Sequence, residues 1–371
     1  MADQLRMSLN TTLTLSEQLQ AALSTPANAT SPPDLSVKDA LPLLSASATA
    51  LKSQVTKLSL LTITAPFTHS AVGTVISALN GSVLPSLVTA ALLVTPTEYT
   101  KAFHTEVHAL TKTALKELDS LVREVQAVSE KANKAKGDAK KGGELSQAEK
   151  DGVTLTTGRV WDVCDALIDV AAKGVVGFVI RRVEEWRDLV RDAVEEIEEW
   201  DPDEDGDEFF DELLSDDSDK EADDEDGEGD KEDNAAIHAQ KKSTLRILKP
   251  IAQIYPAIIT NRLKNAGDTP SSSTSGISKL ENLMANLQRI PEHVDEIAGA
   301  LYEEDMDKCT KYLGMVKNYA IKAVDSVGPL WNAKSTTDGQ QTTEDKFTIW
   351  SKTWRNVLDE VSKSAETETS K

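Results

Sequence analysis

The sequence predicts an all-α protein, and three observations carry that expectation. Leu, Ala, Val and Glu are plentiful while aromatic residues make up only 5% of the chain, a mix that suits helices. Apolar residues recur at steps of three and four through most of the 371 residues, which is the spacing of one helix face. No segment shows the alternation of a half-buried strand. A chain of this length holds two ordinary cores, or one long helical body folded in two halves.

Residues 3–24 and 36–63 carry Leu and Val at helical spacing, so two helices are expected there, separated by the Pro- and Ser-rich PANATSPPD. After Pro66, one or two apolar helices run to about Val94. Residues 75–94, VISALNGSVLPSLVTAALLV, are long enough to cross a bilayer, and no formal charge occurs between Lys57 and Glu98. Asn80, Gly81, Ser82 and Pro85 interrupt that window, and no basic cluster flanks it. It therefore reads as a central bundle helix enclosed by neighbours, and no membrane partner is expected. Thr95-Pro96-Thr97-Glu98 offer a cap with proline early in the following helix. That helix runs from Tyr99 to about Ala132, with Phe103, Val107, Leu110, Ala114, Leu118, Leu121, Val125 and Val128 on one stripe. The stripe lacks a strict heptad, which suits packing in a bundle.

KANKAKGDAKKGGE, residues 131–144, reads as a solvated basic loop. Helix resumes near Leu145, breaks around Gly174 and Gly177, and stops at Trp200. Further helices are expected over residues 235–265, bent at Pro250 and Pro256, then over 277–303 and 305–327, separated near Glu303-Glu304-Asp305. GDTPSSSTSG, residues 267–276, is a linker, and a last helix spans about 343–365 before a polar tail. The expected organisation is an N-terminal helical region over residues 1–200, an acidic disordered insert over 201–233, and a C-terminal helical region over 234–371 packing with the first.

The formal net charge is −22, and most of it has one address. Residues 201–233 hold 20 acidic side chains against Lys220 and Lys231, so −18 lies there and −4 elsewhere. Duplex DNA is repelled by such a chain, and no basic patch offsets this, so no direct nucleic-acid partner is expected. Cys164 and Cys309 stand far apart with no CxxC spacing, which fits a reducing compartment. The N-terminal stretch has neither a basic leader nor an uninterrupted apolar core, so no signal peptide is expected.

Candidate chemistry is sparse. DPDEDGDEFFDE, residues 201–212, places Asp201, Asp203, Asp205, Gly206 and Glu212 as an EF-hand loop would. An EF-hand also needs a helix on the exit side, and the residues after Glu212 are too acidic and too poor in apolar side chains to form one. Position eight is Glu208, where paired loops carry an aliphatic residue. His104 and His108 lie one turn apart in HTEVH, but Glu106 points elsewhere and no third ligand is recognisable, so shoulder positions in the bundle fit them better than zinc. Both cysteines sit in apolar helical stretches, as small core residues do. No phosphate-binding glycine loop occurs. No catalytic residue, metal or cofactor is expected, and the chain does not read as an enzyme.

EEIEEW, residues 195–200, closes a helix with like charges at its unfavourable end. It reads as a solvated end that frays, or one that becomes ordered when a basic partner docks. Glu195, Glu196, Glu198, Glu199, Asp201, Asp203 and Asp205 are therefore the expected partner-binding residues, and Ser218, with Asp219 and Glu221 downstream, is a site for an acid-directed kinase.

Several stretches together resemble the cyclin-D-interacting GCIP family, the D-type-cyclin-binding proteins or Maid homologues, with this chain a divergent member. They are AALLVTPTEYTKAFHTEVHALTKTALKELDSLV at 90–122, VWDVC at 160–164 and DLVRDAVEEIEEWDP at 188–202, followed by an acidic insert. KLENLMANLQRIPEHVDEIAGALY and VKNYAIKAVDSV complete the series near the C-terminus. The resemblance implies antiparallel helical bundles of the vinculin and talin kind and a role in binding other proteins. It further implies D-type cyclins or helix-loop-helix transcription factors as partners, restraint of cell-cycle progression and transcription, and a place in both cytoplasm and nucleus. A vinculin-like cytoskeletal adaptor and an acidic chaperone for histones or other basic proteins are the alternatives.

Overall fold

The computed structural model describes residues 2–25, 39–135, 145–203, 229–266, 274–328 and 345–368. Among these residues every regular element is helical, as the apolar spacing demands. The chain divides into two compact units, Met1–Phe178 and Val179–Lys371.

The first unit holds α1 (Ala2–Ala22), α2 (Ala40–Ile63), α3 (His69–Ala78), α4 (Leu84–Leu93), α5 (Lys101–Ala135) and the N-terminal part of α6 (Gln147–Glu199). Helix α1 packs on α3 and α5, and α2 packs on α3 and α4. A π-turn, Leu79–Val83, links α3 to α4, with the Leu84 N–H reaching the Leu79 carbonyl. Pro85 follows at the first turn of α4, where its missing N–H costs least. The stretch His69–Leu93 is long and apolar enough to cross a membrane, and half of its most apolar window is buried inside the protein. Val72, Ile76, Leu79, Leu84 and Leu87 are fully enclosed.

Helix α5 buries Phe103, Val107, Ala114, Leu118, Leu121, Val125 and Val128, whereas Leu110 is only half-buried. Its cap is Thr100, whose hydroxyl accepts from the Phe103 N–H at 3.2 Å while its carbonyl accepts from the His104 N–H at 2.9 Å. The sequence points to Thr95 or Thr97 for this role. Those two hydroxyls instead bond each other at 3.1 Å, because the chain makes a turn at 96–99 before the helix begins. Phe103 stacks on Tyr99 and meets Phe178 edge to face, both at 5.5 Å. Helix α6 kinks at Gly174, with φ 62° and ψ −168°, a region essentially reserved for glycine. Gly177, the other expected breaker, stays helical.

The second unit holds the rest of α6 with α7 (Gly229–Ala252), α8 (Ile254–Ile258), α9 (Thr274–Tyr302), α10 (Met306–Ser326) and α11 (Lys346–Glu368). Helix α7 begins at Gly229, so the acidic insert expected over 201–233 ends in helix; residues 204–228 lie outside the described residues. Pro250 lies two residues before the end of α7, and α8 with Pro256 leads into a second π-turn, Ile259–Leu263. Both prolines lie inside helical turns, and the irregularities follow three residues later, at Gln253 and at Ile259.

Helix α10 packs along α9. The turn between them places Glu304 at φ 60°, and the Asp305 carboxylate caps α10 by accepting from the Lys308 N–H at 2.9 Å. Arg262 ties the π-turn to the ends of α10 and α11. It donates to the Val327 carbonyl at 2.7 Å, the Gly328 carbonyl at 2.9 Å and the Asp345 carboxylate at 2.6 Å, and its guanidinium lies 4.3 Å over the Phe347 ring.

Candidate interaction surface

The acidic end of α6 is anchored by side chains from α7 and α9. The Glu196 carboxylate accepts from the Tyr302 hydroxyl at 3.1 Å, and the Glu198 carboxylate pairs with the Lys249 ammonium at 2.7 Å. The Lys241 ammonium donates to the Glu198 carbonyl at 3.0 Å and also to the Trp200 carbonyl. A cation at the last carbonyls of a helix suits both their hydrogen bonding and the helix dipole. Trp200 meets Tyr302 edge to face at 5.0 Å. An end that reads in sequence as frayed is thus held in place, and the lysines that hold it lie more than forty residues further along the chain.

Glu195 lies 3.9 Å from Arg191, an exposed i,i+4 pair worth little by itself. Glu199 is exposed. Asp201 and Asp203 form a turn in which the Asp201 carboxylate accepts from the Asp203 N–H at 3.1 Å, and Asp203 bonds the His238 Nε2 of α7 at 3.0 Å. One donor atom from each of Asp201, Asp203 and His238 lies within 4.8 Å of the others, all three side chains being exposed. These three could hold a cation, and His238 is the member that sequence spacing could not place beside the two aspartates. Asp205, Ser218 and the remainder of the EF-hand-like loop fall outside the described residues.

His104 and His108 stand side by side with ring centroids 3.9 Å apart. Their nitrogens face backbone carbonyls: His104 Nδ1 meets Val94 O at 2.6 Å, and His108 meets Leu23 O at 3.2 Å and Ala91 O at 3.0 Å. The pair closes the ends of α1 and α4 against α5, the shoulder role that its place beside the apolar stripe suggests. Cys164 is buried, and desolvation, followed by the nearby Asp165, pushes its thiol up to about 12. Burial likewise raises the Cys309 thiol, which receives Gln240 Nε2 at 3.4 Å. A thiol held protonated in this way is a poor nucleophile at neutral pH.

Residues 43–203 match a family model described as Grap2 and cyclin-D-interacting, N-terminal. The match starts in α2, covers α3 to α6, and ends at Asp203, the last described residue of the acidic turn. No curated protein matches the chain.

Proposed function

We propose, from the match of residues 43–203 to the Grap2 and cyclin-D-interacting family, that the chain is a member of that family and a non-catalytic regulatory protein that binds a D-type cyclin and restrains cell-cycle progression. The observation that carries this reading is the family match over residues 43–203. In this reading the helical body presents the binding face, as helical bundles do toward partner helices. The acidic stretch from Glu195 onward supplies a field that speeds encounter with a basic surface of the partner. Glu196 and Glu198 are already engaged by Tyr302 and Lys249, which leaves the exposed Glu195 and Glu199 as the carboxylates of this helix end for a partner. Helix-loop-helix transcription factors are further partners of the same kind, and the protein works in both nucleus and cytoplasm.

Isothermal titration of the intact chain with a purified D-type cyclin tests this reading. A saturable complex of defined stoichiometry is the expected result. Heat of dilution alone, with the cyclin active toward its kinase, would overturn it.

A further inference from the structure

Helix α10 carries a second kind of surface, made of rings and ammonium groups. At about 100° per residue, Lys308, Lys311, Tyr312, Met315, Tyr319 and Lys322 fall within an arc of about 100° on one side of the helix. The buried residues Cys309, Leu313, Val316 and Ala320 occupy a different arc. No Asp or Glu of α10 shares the lysine and tyrosine face, since Asp307 and Asp325 lie outside it.

His293 of α9 completes the surface. Its ring centroid is 5.5 Å from that of Tyr312 and 5.5 Å from that of Tyr319, with interplanar angles of 32° and 28°. The Lys311 ammonium lies 5.6 Å from the Tyr312 centroid, and the Lys322 ammonium 5.7 Å from that of Tyr319. Lys308 is tied to Glu296 and Glu303, whereas Lys311 and Lys322 have no carboxylate partner among the described residues. Lys311 and Lys322 are thus the two cations of this face left without a carboxylate partner among the described residues.

Tyrosine rings give large contact area at low entropic cost, and they are enriched where interfaces concentrate their binding energy. Met315, 36% exposed between the two tyrosines, adds an adaptable apolar contact. The ammonium groups at the edge select for negative charge. We propose that the His293, Tyr312, Met315 and Tyr319 surface, flanked by Lys311 and Lys322, docks an acidic amphipathic helix of a partner protein. The helix would lay an apolar stripe across the rings and set its Glu or Asp side chains against the two lysines. The surface begins at His293, well beyond the matched residues 43–203.

The test uses the intact chain and a pair of fluorescent helical peptides. One carries a leucine stripe flanked by Glu, and its twin has Lys in place of every Glu. Anisotropy is expected to show binding of the Glu peptide alone, weakening as salt rises. Tyr312→Ala with Tyr319→Ala should lower affinity about tenfold or more. Lys311→Glu with Lys322→Glu should transfer preference to the lysine twin, a gain that a misfolded variant cannot produce. No binding of the Glu peptide, equal binding of both twins, or binding untouched by these variants would overturn the proposal. So would self-association, or binding of an RNA oligonucleotide, that is lost in the same variants, because the face would then serve a second copy or a nucleic acid.

Discussion

Both ring nitrogens of His108 meet backbone carbonyls, yet a neutral imidazole has a single proton to donate. Only the charged ring satisfies both, but burial, then the neighbouring His104, push its pKa below the ordinary 6.5, and the two carbonyls pull weakly the other way. A base whose folded pKa is depressed contributes stability above its unfolded pKa and loses it as pH falls. The NMR titration midpoint of His108 should therefore lie below 6.5, and the protein should lose stability on acidification through that region. A midpoint above 6.5 would mean that the carbonyls outweigh burial. Arg262, 4% exposed, sits in a different balance. Its hydrogen bonds, joined by those from Thr348, hold the Asp345 carboxyl down at about 2. The stability from this pair is complete above the ordinary 3.8 and is lost as pH falls from 3.8 toward 2. Arg262→Ala leaves Asp345 without its cation and two carbonyls without their donor, and chemical denaturation should show a loss of about 3 kcal/mol. A loss near zero would mean that water replaces the guanidinium.

The kink of α6 depends on Gly174, whose positive φ admits no side chain without strain. Gly174→Ala should destabilise the protein by about 1–3 kcal/mol, whereas Gly158→Ala, in open space within the same helix, should be neutral or slightly stabilising. Equal melting temperatures for the two variants would contradict the assigned strain. The helices and the break at Gly174 were legible because each follows from local pattern: apolar steps of three and four, or a residue with unusual backbone preferences. The anchoring of the α6 end was not legible. Like charges in EEIEEW predict fraying, and the stabilising groups, Lys241, Lys249 and Tyr302, come from helices that only the tertiary fold brings near. The same holds for Arg262, one basic residue in a mainly apolar run, and for His238 beside Asp203. The surface formed by His293 and the α10 tyrosines was hidden for a second reason. Its apolar members are aromatic and thinly spaced, so they do not register as a continuous stripe.

Across the whole molecule, −18 of the −22 charges fall in residues 201–233, which separates two ways of binding a partner. Long-range attraction through that tract fades within a Debye length of about 10 Å at 0.1 M salt. Packing against a helical face does not. The proposed function gives affinity to the helical body and rate to the tract. The most direct measurement is capture of a D-type cyclin by the intact protein and by one lacking Asp201–Asp233, each at low and at high salt. Retention of the cyclin by both forms at high salt, with slower association for the shortened one, is the predicted result. Loss of the cyclin on removing the tract, or its replacement by basic proteins that salt releases, would contradict the account and leave an acidic chaperone in its place.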